Sequence, residues 1–399
     1  MHITFSQEVI IPDKIKLARY RKSPELGPKV LFFSGGTALR DLSRRLIHFT
    51  HNSIHIITPF DSGGSSRRLR QVFHMPAIGD VRNRLMALSD QTFQGHPEIF
   101  RLFAHRFPVD SDPQALGADL SSMSKERHWL INDIPDPMSK IIRHHLQRFE
   151  AEMPADFDLR GANIGNLVLT AGYLENRRHM DPVIYIFSKL VEVRGVVRPV
   201  INADLHLGAV LENGECVLEQ HRLTGKQTAP IQTPVENLYL VAGTRGKGSD
   251  KPVRVSIRDK MAKLICGADL IVYPMGSFYS SVMANLLPDG VAEAICKNQR
   301  PKVFIPSTGH DPECYGLPVE KQVQRLLACL TRNKNNNVPT ESLLNFVVVD
   351  TANGIYPTGL DKQAIESLGL NVIDLLLVTP ETSPYFDPQK LVDVILSLT

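Results

Sequence analysis

The sequence predicts an α/β chain with a Rossmann-like, three-layer fold. Its mainly parallel sheet would carry a helical insertion and a small β-hairpin excursion. Three observations predict this. Short apolar, β-branched runs recur along the chain, separated by longer stretches of helical period, as βαβ units require. The first runs end in Gly-, Ser-, Asp- or Pro-containing segments, the turn chemistry of strand-to-helix connections. The 399 residues are 43% hydrophobic and 22% charged, which supplies a large globular core and excludes a disordered or fibrous chain.

Taken in order, residues 29–33 (Lys-Val-Leu-Phe-Phe) read as a buried strand, followed by glycines and a helix through about Phe49. Residues 54–58 form a second strand that ends in a Gly/Ser-rich loop. Residues 91–160 lack a convincing strand and are rich in Arg, His and Met at helical spacing, so they read as the helical insertion. Residues 193–221 alternate around Asn213-Gly214, which predicts an antiparallel hairpin. Residues 224–251, polar and containing Gly243, Gly246 and Gly248, read as an exposed loop. Further strands are expected at 269–273, 303–305, 346–349 and 372–376, and the polar run 332–337 reads as a surface loop. A length of 399 residues, at roughly 150 per domain, admits two to three domains. No internal repeat or linker divides the chain, so residues 1–399 read as one α/β domain with embellishments.

Charge and cysteine usage narrow the function classes. Lys and Arg number 45 against 42 Asp and Glu, a net charge of +3, which gives no electrostatic footprint for nucleic acid or anionic membrane. The apolar runs fall far short of a membrane span. The opening residues are soon followed by Glu8 and Asp13 and do not form a signal segment. Five cysteines, never spaced C-x-x-C, argue against a disulfide framework or zinc site and fit a reducing compartment. The expectation is a cytoplasmic protein with neither a nucleic-acid nor a membrane partner.

The informative chemistry lies in the loops after strands. Ser34-Gly35-Gly36-Thr37-Ala38 follows the first strand, and paired glycines there let backbone N–H groups approach a phosphate. A tight turn without a ligand fits the same residues. After the second strand, residues 61–70 join Asp61, two glycines, Ser65, Ser66 and three arginines including Arg70. This set offers N–H, O–H and guanidinium donors to an anion and leaves Asp61 for metal or proton work. Asp80, in Gly79-Asp80-Val81-Arg82-Asn83, fits both a helix cap and a substrate contact. Gly165-Asn166 opens a helix, Gly276-Ser277 again joins a strand to a helix, and His310-Asp311 follows the 303–305 strand. In an open α/β sheet, ligands bind at the carboxyl ends of strands, and these loops converge there.

Those strings carry a resemblance. G-G-T-x-L at 35–39, D-x-G-G-S-S-x-x-L-R at 61–70 and G-D-x-R-N-x-L at 79–85 resemble the 2-phospho-L-lactate transferase (CofD) family, which includes the YvcK-type nucleotide-sugar binding proteins. Asn163-Ile164-Gly165-Asn166-Leu167 looks like its G-N-L helix start. Residues 276–281 with Asn285-Leu286-Leu287 look like its P-G-S-L-Y-T-S…N-L-L segment. The resemblance runs from about residue 30 to about residue 319. It departs from the family at Ser62, where an Asp-Asp pair is usual, at Arg67 and Ala38 in place of glycines, and at Met275, inserted before Gly276. These departures mark a divergent branch.

What the resemblance implies is a nucleoside-diphosphate-linked donor lying across the strand ends and a second substrate whose hydroxyl attacks the distal phosphorus. Family transferases use a guanosine-diphosphate-linked lactate or enolpyruvate and a deazaflavin acceptor. By this resemblance Gly35, Gly36, Thr37, Ser65, Ser66 and Arg70 would face the donor phosphates. Asp61 would hold Mg²⁺ or orient the attacking hydroxyl, Asp80 and Asn83 would support it, and Asn166, Gly276, Ser277 and Asn285 would line the other wall. Homodimerisation is likewise implied by the resemblance. The alternative is a non-catalytic nucleotide-sugar binding regulator of the YvcK type.

Overall fold

A computed structural model describes residues 8–92, 95–125, 127–225, 229–243, 251–332 and 338–399. Among them eleven strands fall into two sheets: β1 Val30–Ser34, β2 Ile54–Ile57, β3 Val196–Pro199, β4 His206–Leu211, β5 Cys216–Leu218, β6 Val235–Val241, β7 Pro252–Val253, β8 Leu270–Tyr273, β9 Lys302–Phe304, β10 Phe346–Val349 and β11 Asn371–Asp374. Seven form a wholly parallel sheet in the order β11-β10-β9-β8-β1-β2-β3. Leu31 pairs with Ile54 on one side and Ile271 on the other, so β1 is a central strand.

The three layers follow from the period of two along a strand. Leu31, Phe33, Ile271, Tyr273 and Val347 face a core shared with the helices Asp259–Cys266, Val291–Lys297 and Val319–Thr331. Val30, Phe32, Leu270, Val272 and Val348 face the opposite core, built with Arg40–Leu46 and Pro388–Ser397. Both faces are covered, which is why these strands are continuous apolar runs without polar alternation. A third core, containing Ile57 and Val197, joins the sheet to Gly64–Phe73, Gly79–Ala87, Ile164–Glu175 and Met180–Leu190. The helices Pro97–Ala104, Pro113–Ser124, Trp129–Asn132 and Met138–Glu152 occupy the segment read as an insertion and pack into this third core. No helix among the described residues is long and apolar enough to cross a membrane.

Three local readings are corrected. Residues 193–221 are not one hairpin: Val196–Pro199 is β3, the parallel edge strand beside β2. Its alternating burial imitates a hairpin strand: Val197 and Pro199 are buried, whereas Val196 and Arg198 on the other face of this edge strand are half-buried. The Asn213-Gly214 turn does join β4 to β5, with Gly214 at φ +83°. Residues 224–251 are not simply a loop, since they contain β6, which pairs with β4 in a four-stranded antiparallel sheet ordered β5-β4-β6-β7. Glu236 and Asn237 give β6 a polar, exposed start that hides it in the sequence. Gly246, Gly248 and the run 333–337 lie outside the described residues. The helix that follows β1 begins at Arg40, not at the glycines, so residues 35–39 form a turn.

Strand order reverses at the β1–β8 boundary: β2 and β3 lie to one side, and β9 to β11 to the other. The carboxyl ends of β1 and β8 therefore flank a topological switch point, where an open α/β sheet leaves a crevice.

Candidate functional site

A cavity of about 550 Å³ opens at that switch point. Its walls come from four strand ends: residues 34–39 at the end of β1, Asp61 and Gly63 after β2, Met275, Gly276, Ser277 and Ser281 after β8, and Ser307, Thr308, His310, Asp311 and Pro312 after β9. Asp80 closes the β2 side, and Tyr385, Phe386 and Pro388 approach from the C-terminal segment.

The β1 side is built by close backbone approach. A Cβ on Gly36 would lie 2.3 Å from Asp80 Oδ1 and 2.9 Å from Asp80 Cα. One on Gly35 would lie 2.5 Å from Ser281 Oγ. A side chain at Gly36 would displace the Asp80 backbone, and one at Gly35 would have to move the Ser281 hydroxyl. Arg84, wholly buried, fixes the loop from beneath, donating to Gly35 O (3.0 Å), Leu39 O (2.9 Å) and Ser43 Oγ. Burial lowers its pKa to about 10, an effect opposed by Asp80. Ser34 closes the floor, 3% exposed, and its Oγ has no hydrogen-bond partner among the described residues. A buried hydroxyl at a cavity wall that finds no protein partner is a group waiting for a ligand or water atom.

The β2 side holds the carboxylates. Asp61 Oδ1 accepts from Gly63 N at 2.9 Å, and its Oδ2 lies 3.4 Å from where a Gly79 Cβ would stand, next to Asp80. Arg70 anchors this loop and does not reach the cavity. Its guanidinium donates to Asp204 Oδ1 (2.8 Å), Leu205 O (2.7 Å), Phe60 O (3.3 Å) and Asp61 O (3.1 Å), and contacts His206 Nε2. His206, half-buried and facing that positive charge, has its pKa lowered to about 4, first by desolvation and then by Arg70.

The β8 side is a turn of unusually wide helix, Phe278–Met283, in which Val282 N reaches Ser277 O at 3.3 Å. Such π-helical turns recur at functional sites. Gly276 precedes it at φ +139°, a conformation suited to glycine, and is clasped by Ser307 Oγ through both its N–H (2.8 Å) and its carbonyl (2.9 Å). The first amides of the turn are taken by the chain itself. Asp311 Oδ2 accepts from Phe278 N (2.9 Å), while Glu313 Oε2 accepts from Tyr279 N (2.9 Å) and Ser280 N (2.8 Å). Burial first, and then the neighbouring Asp311 charge, push Glu313 up to about 8. Burial raises Asp311 as well.

Of the residues singled out from sequence, Gly35, Gly36, Thr37, Asp61, Asp80, Gly276 and Ser277 line the cavity. Arg70, Ser65, Ser66, Asn83, Asn166 and Asn285 do not. Ser66 packs beneath Gly79, and Asn166 Nδ2 donates to Ser65 Oγ at 3.0 Å. Asn285 Nδ2 ties Ser34 O (3.1 Å) to Ser281 O (2.8 Å), bracing the two walls from below. These side chains shape the site from one layer back. His310 and Asp311 line the cavity where the β9 loop passes.

Sequence reading missed Gln220, His221 and Thr224, which enter from the antiparallel sheet. Gln220 and His221 stand on a single helical turn, Gln220–Leu223, which Thr224 caps and whose preceding residue Glu219 holds φ +72°. His221 Nδ1 lies 3.0 Å from Ser62 Oγ and 3.2 Å from Glu219 Oε2, and its backbone N donates to the same Ser62 Oγ at 3.1 Å. No local motif announces this histidine, because its place depends on a second sheet folding against the β2 loop.

The family profile described as 2-phospho-L-lactate transferase CofD matches residues 30–378, nearly the whole described sheet. The chain belongs to the CofD family. Proteins similar to the chain carry another name. The chain is 27% identical over 381 residues to a protein named putative gluconeogenesis factor from Nostoc sp. PCC 7120, covering 93% of this chain and 68% of that one. It is 29% identical over 279 residues to the gluconeogenesis factor of Bacillus subtilis 168, covering 70% and 67% respectively. In architecture it resembles a crystal structure of a UPF0052 family member from Bacillus halodurans, with TM-score 0.65, 24% identity, and coverage of 93% and 99%. This CofD-family cavity therefore belongs to a fold with relatives under both names.

Proposed function

We propose that the chain is a CofD-type transferase. It would move a phospho-linked group, of the 2-phospholactyl or phosphoenolpyruvyl type, from a nucleoside-diphosphate-linked donor to an acceptor hydroxyl. The observation that carries this reading is the β1 wall: the Gly35-Gly36 backbone pressed against Asp80, with the unpartnered Ser34 Oγ at the floor of a switch-point cavity. Backbone N–H groups and a hydroxyl suit diphosphate oxygens there. On the β8 wall, Asp311 and Glu313 already occupy the first amides of the turn, which supports assigning the diphosphate to the β1 side.

In the step itself, the acceptor oxygen forms a bond to the distal phosphorus and the bond to the bridging oxygen breaks. That electron pair leaves with the nucleoside monophosphate, and the hydroxyl proton passes to a nearby base. Catalysis is chiefly positioning and charge neutralisation. No three His, Cys, Asp or Glu side chains converge on a metal among the described residues. The donors present are the hard carboxylate oxygens of Asp61 and Asp80, which fit Mg²⁺, an ion content with one or two carboxylates, phosphates and water. When bound, Mg²⁺ would neutralise phosphate charge.

One observation favours the second reading, a non-catalytic nucleotide-sugar binding regulator: Ser62 stands where the family commonly has a second Asp, and its hydroxyl is committed to His221. Release of nucleoside monophosphate from a guanosine-diphosphate-linked lactate, assayed with small-molecule acceptor fractions, separates the two. A transferase releases GMP. A regulator that binds the nucleotide yet leaves it intact refutes the transferase reading.

A further inference from the structure

A second cavity, of about 190 Å³, opens at the carboxyl end of the edge strand β3 and shares no lining residue with the switch-point cavity. Its lining comes from the segment leaving β3, from the start of the helix Asp259–Cys266 and from the first residues of Met180–Leu190. Val200, Ile201, Met180 and Met261, all buried, make much of it apolar. The charged side chains beside them do not balance. Arg198, Arg258 and Lys260 stand against one carboxylate, Asp181. Asp181 is already shared, with Oδ1 3.4 Å from Arg198 Nε and Oδ2 3.2 Å from Lys260 Nζ. The guanidinium of Arg258 is exposed, caps no helix and has no hydrogen bond or ion pair among the described residues. Two buried polar atoms of the lining also lack hydrogen-bond partners there: Arg198 Nε and Asn202 Oδ1. The Asn202 amide is oriented by its Nδ2, which donates to Arg178 O at 2.8 Å. Buried polar atoms left open on the wall of a cavity call for a ligand or water atom.

We propose that this cavity is a second ligand site, for a small organic anion with a compact apolar body. The body would lie against Val200, Ile201 and Met261, and the head against Arg258 and Arg198. Three cations facing one carboxylate give the lining a net positive charge, which selects an anion. Guanidinium N–H groups suit the oxygens of a carboxylate or a phosphate monoester equally, so the head is one of these two. Size decides the body. A cavity of about 150 Å³ holds benzene, so this one takes a group of that order with its head at the rim and excludes a nucleotide. The apolar lining disfavours a bare inorganic ion, which has nothing to bury there. The site stands independently of the nucleotide proposed above, because the two cavities have no residue in common.

Methionine methyl groups report on both cavities: Met180 and Met261 line this one, and Met275 lines the other. NMR of the ¹³C-methyl-methionine chain, with signals assigned by Met→Leu variants, therefore locates a bound anion. Benzoate, phenyl phosphate, inorganic phosphate and the neutral benzamide are each titrated to about 20 mM, because a ligand this small binds at about the millimolar level. The inference expects benzoate or phenyl phosphate to move the Met180 and Met261 signals saturably. Whichever of the two binds more tightly identifies the head as carboxylate or phosphate monoester. Benzamide should bind about three- to tenfold more weakly than benzoate, and Arg258→Gln should weaken the anion by a similar factor, the size of one lost charged contact at an exposed site. Arg258 and Lys260 are both exposed, so Arg258→Gln and Lys260→Gln keep the fold, which melting curves verify. No movement of Met180 and Met261 with either organic anion overturns the inference, as does movement of Met275 alone. Benzamide binding as tightly as benzoate, or inorganic phosphate as tightly as phenyl phosphate, also overturns it. So does an affinity unchanged in both Arg258→Gln and Lys260→Gln.

Discussion

The β1 wall and the β8 wall of the cavity start from the same kind of sequence, a buried strand running into a small, glycine-containing turn, and end differently. On the β1 wall Arg84 holds loop carbonyls from behind, the Asp80 carboxylate lies against Gly36, and Ser34 Oγ is left without a partner among the described residues. On the β8 wall the first amides of the wide helical turn are already bonded to Asp311 and Glu313. A Gly-Ser turn opening a helix is therefore not in itself an anion site, because the chain's own carboxylates can satisfy the amides. The side that keeps the Ser34 hydroxyl unsatisfied is the side on which we propose the phosphate.

Four measurements would sharpen or break that contrast. The largest effect is expected at Asp61, on the β1–β2 side: Asp61→Asn abolishes turnover while nucleotide affinity stays within about tenfold. Equal loss of binding and turnover would make Asp61 a residue that only builds the site. Next is Gly36→Ala, whose Cβ has nowhere to go beside Asp80. Displacing that loop should weaken nucleotide binding by about 10²-fold and cost about 1–3 kcal/mol of stability, read by calorimetry and chemical denaturation. Gly276→Ala is the matched change across the cavity. There φ is +139° and the nearest atom to a Cβ is Ala38 Cβ at 3.3 Å, so stability falls by about 1–2 kcal/mol while nucleotide affinity changes little. If both alanines weaken binding equally, the two walls are not different in kind.

The smallest effect concerns Glu313. Its folded pKa, about 8, lies above its unfolded value, so the folded chain keeps this proton longer than the unfolded chain. The associated stability is full below the ordinary carboxylate range, near pH 4, and is lost as pH rises toward 8. Glu313→Gln should flatten that decline in a series of denaturation curves at pH 5 to 8. An unchanged slope would place the titration elsewhere.

The parts of the site legible in the sequence are those that depend on one strand and the loop after it. Gly35, Gly36, Asp61 and Gly276 announce themselves because each follows a continuous apolar run at once. What sequence could not separate is a polar side chain that touches a ligand from one that braces the loop. Arg70 has the composition of a phosphate ligand, yet all its hydrogen bonding goes to Asp204, His206 and backbone carbonyls. Asn285 and Asn166 similarly tie elements together from within. The antiparallel sheet was the harder loss. With β6 hidden behind a polar start and β3 posing as half of a hairpin, nothing placed His221 against Ser62, residues separated by 159 positions.

We propose that a nucleoside diphosphate sits against the Gly35-Gly36 loop. A thermal-shift panel of GDP, GMP, ADP and UDP-N-acetylglucosamine, each with and without Mg²⁺, on wild type and Gly36→Ala, tests it most directly. A ligand at about 100 times its dissociation constant should stabilise the wild type by about 2.7 kcal/mol. The account predicts that a diphosphate gives such a shift, that Mg²⁺ increases it, and that Gly36→Ala removes it. No shift with any diphosphate, or a shift that survives intact in Gly36→Ala, would contradict it.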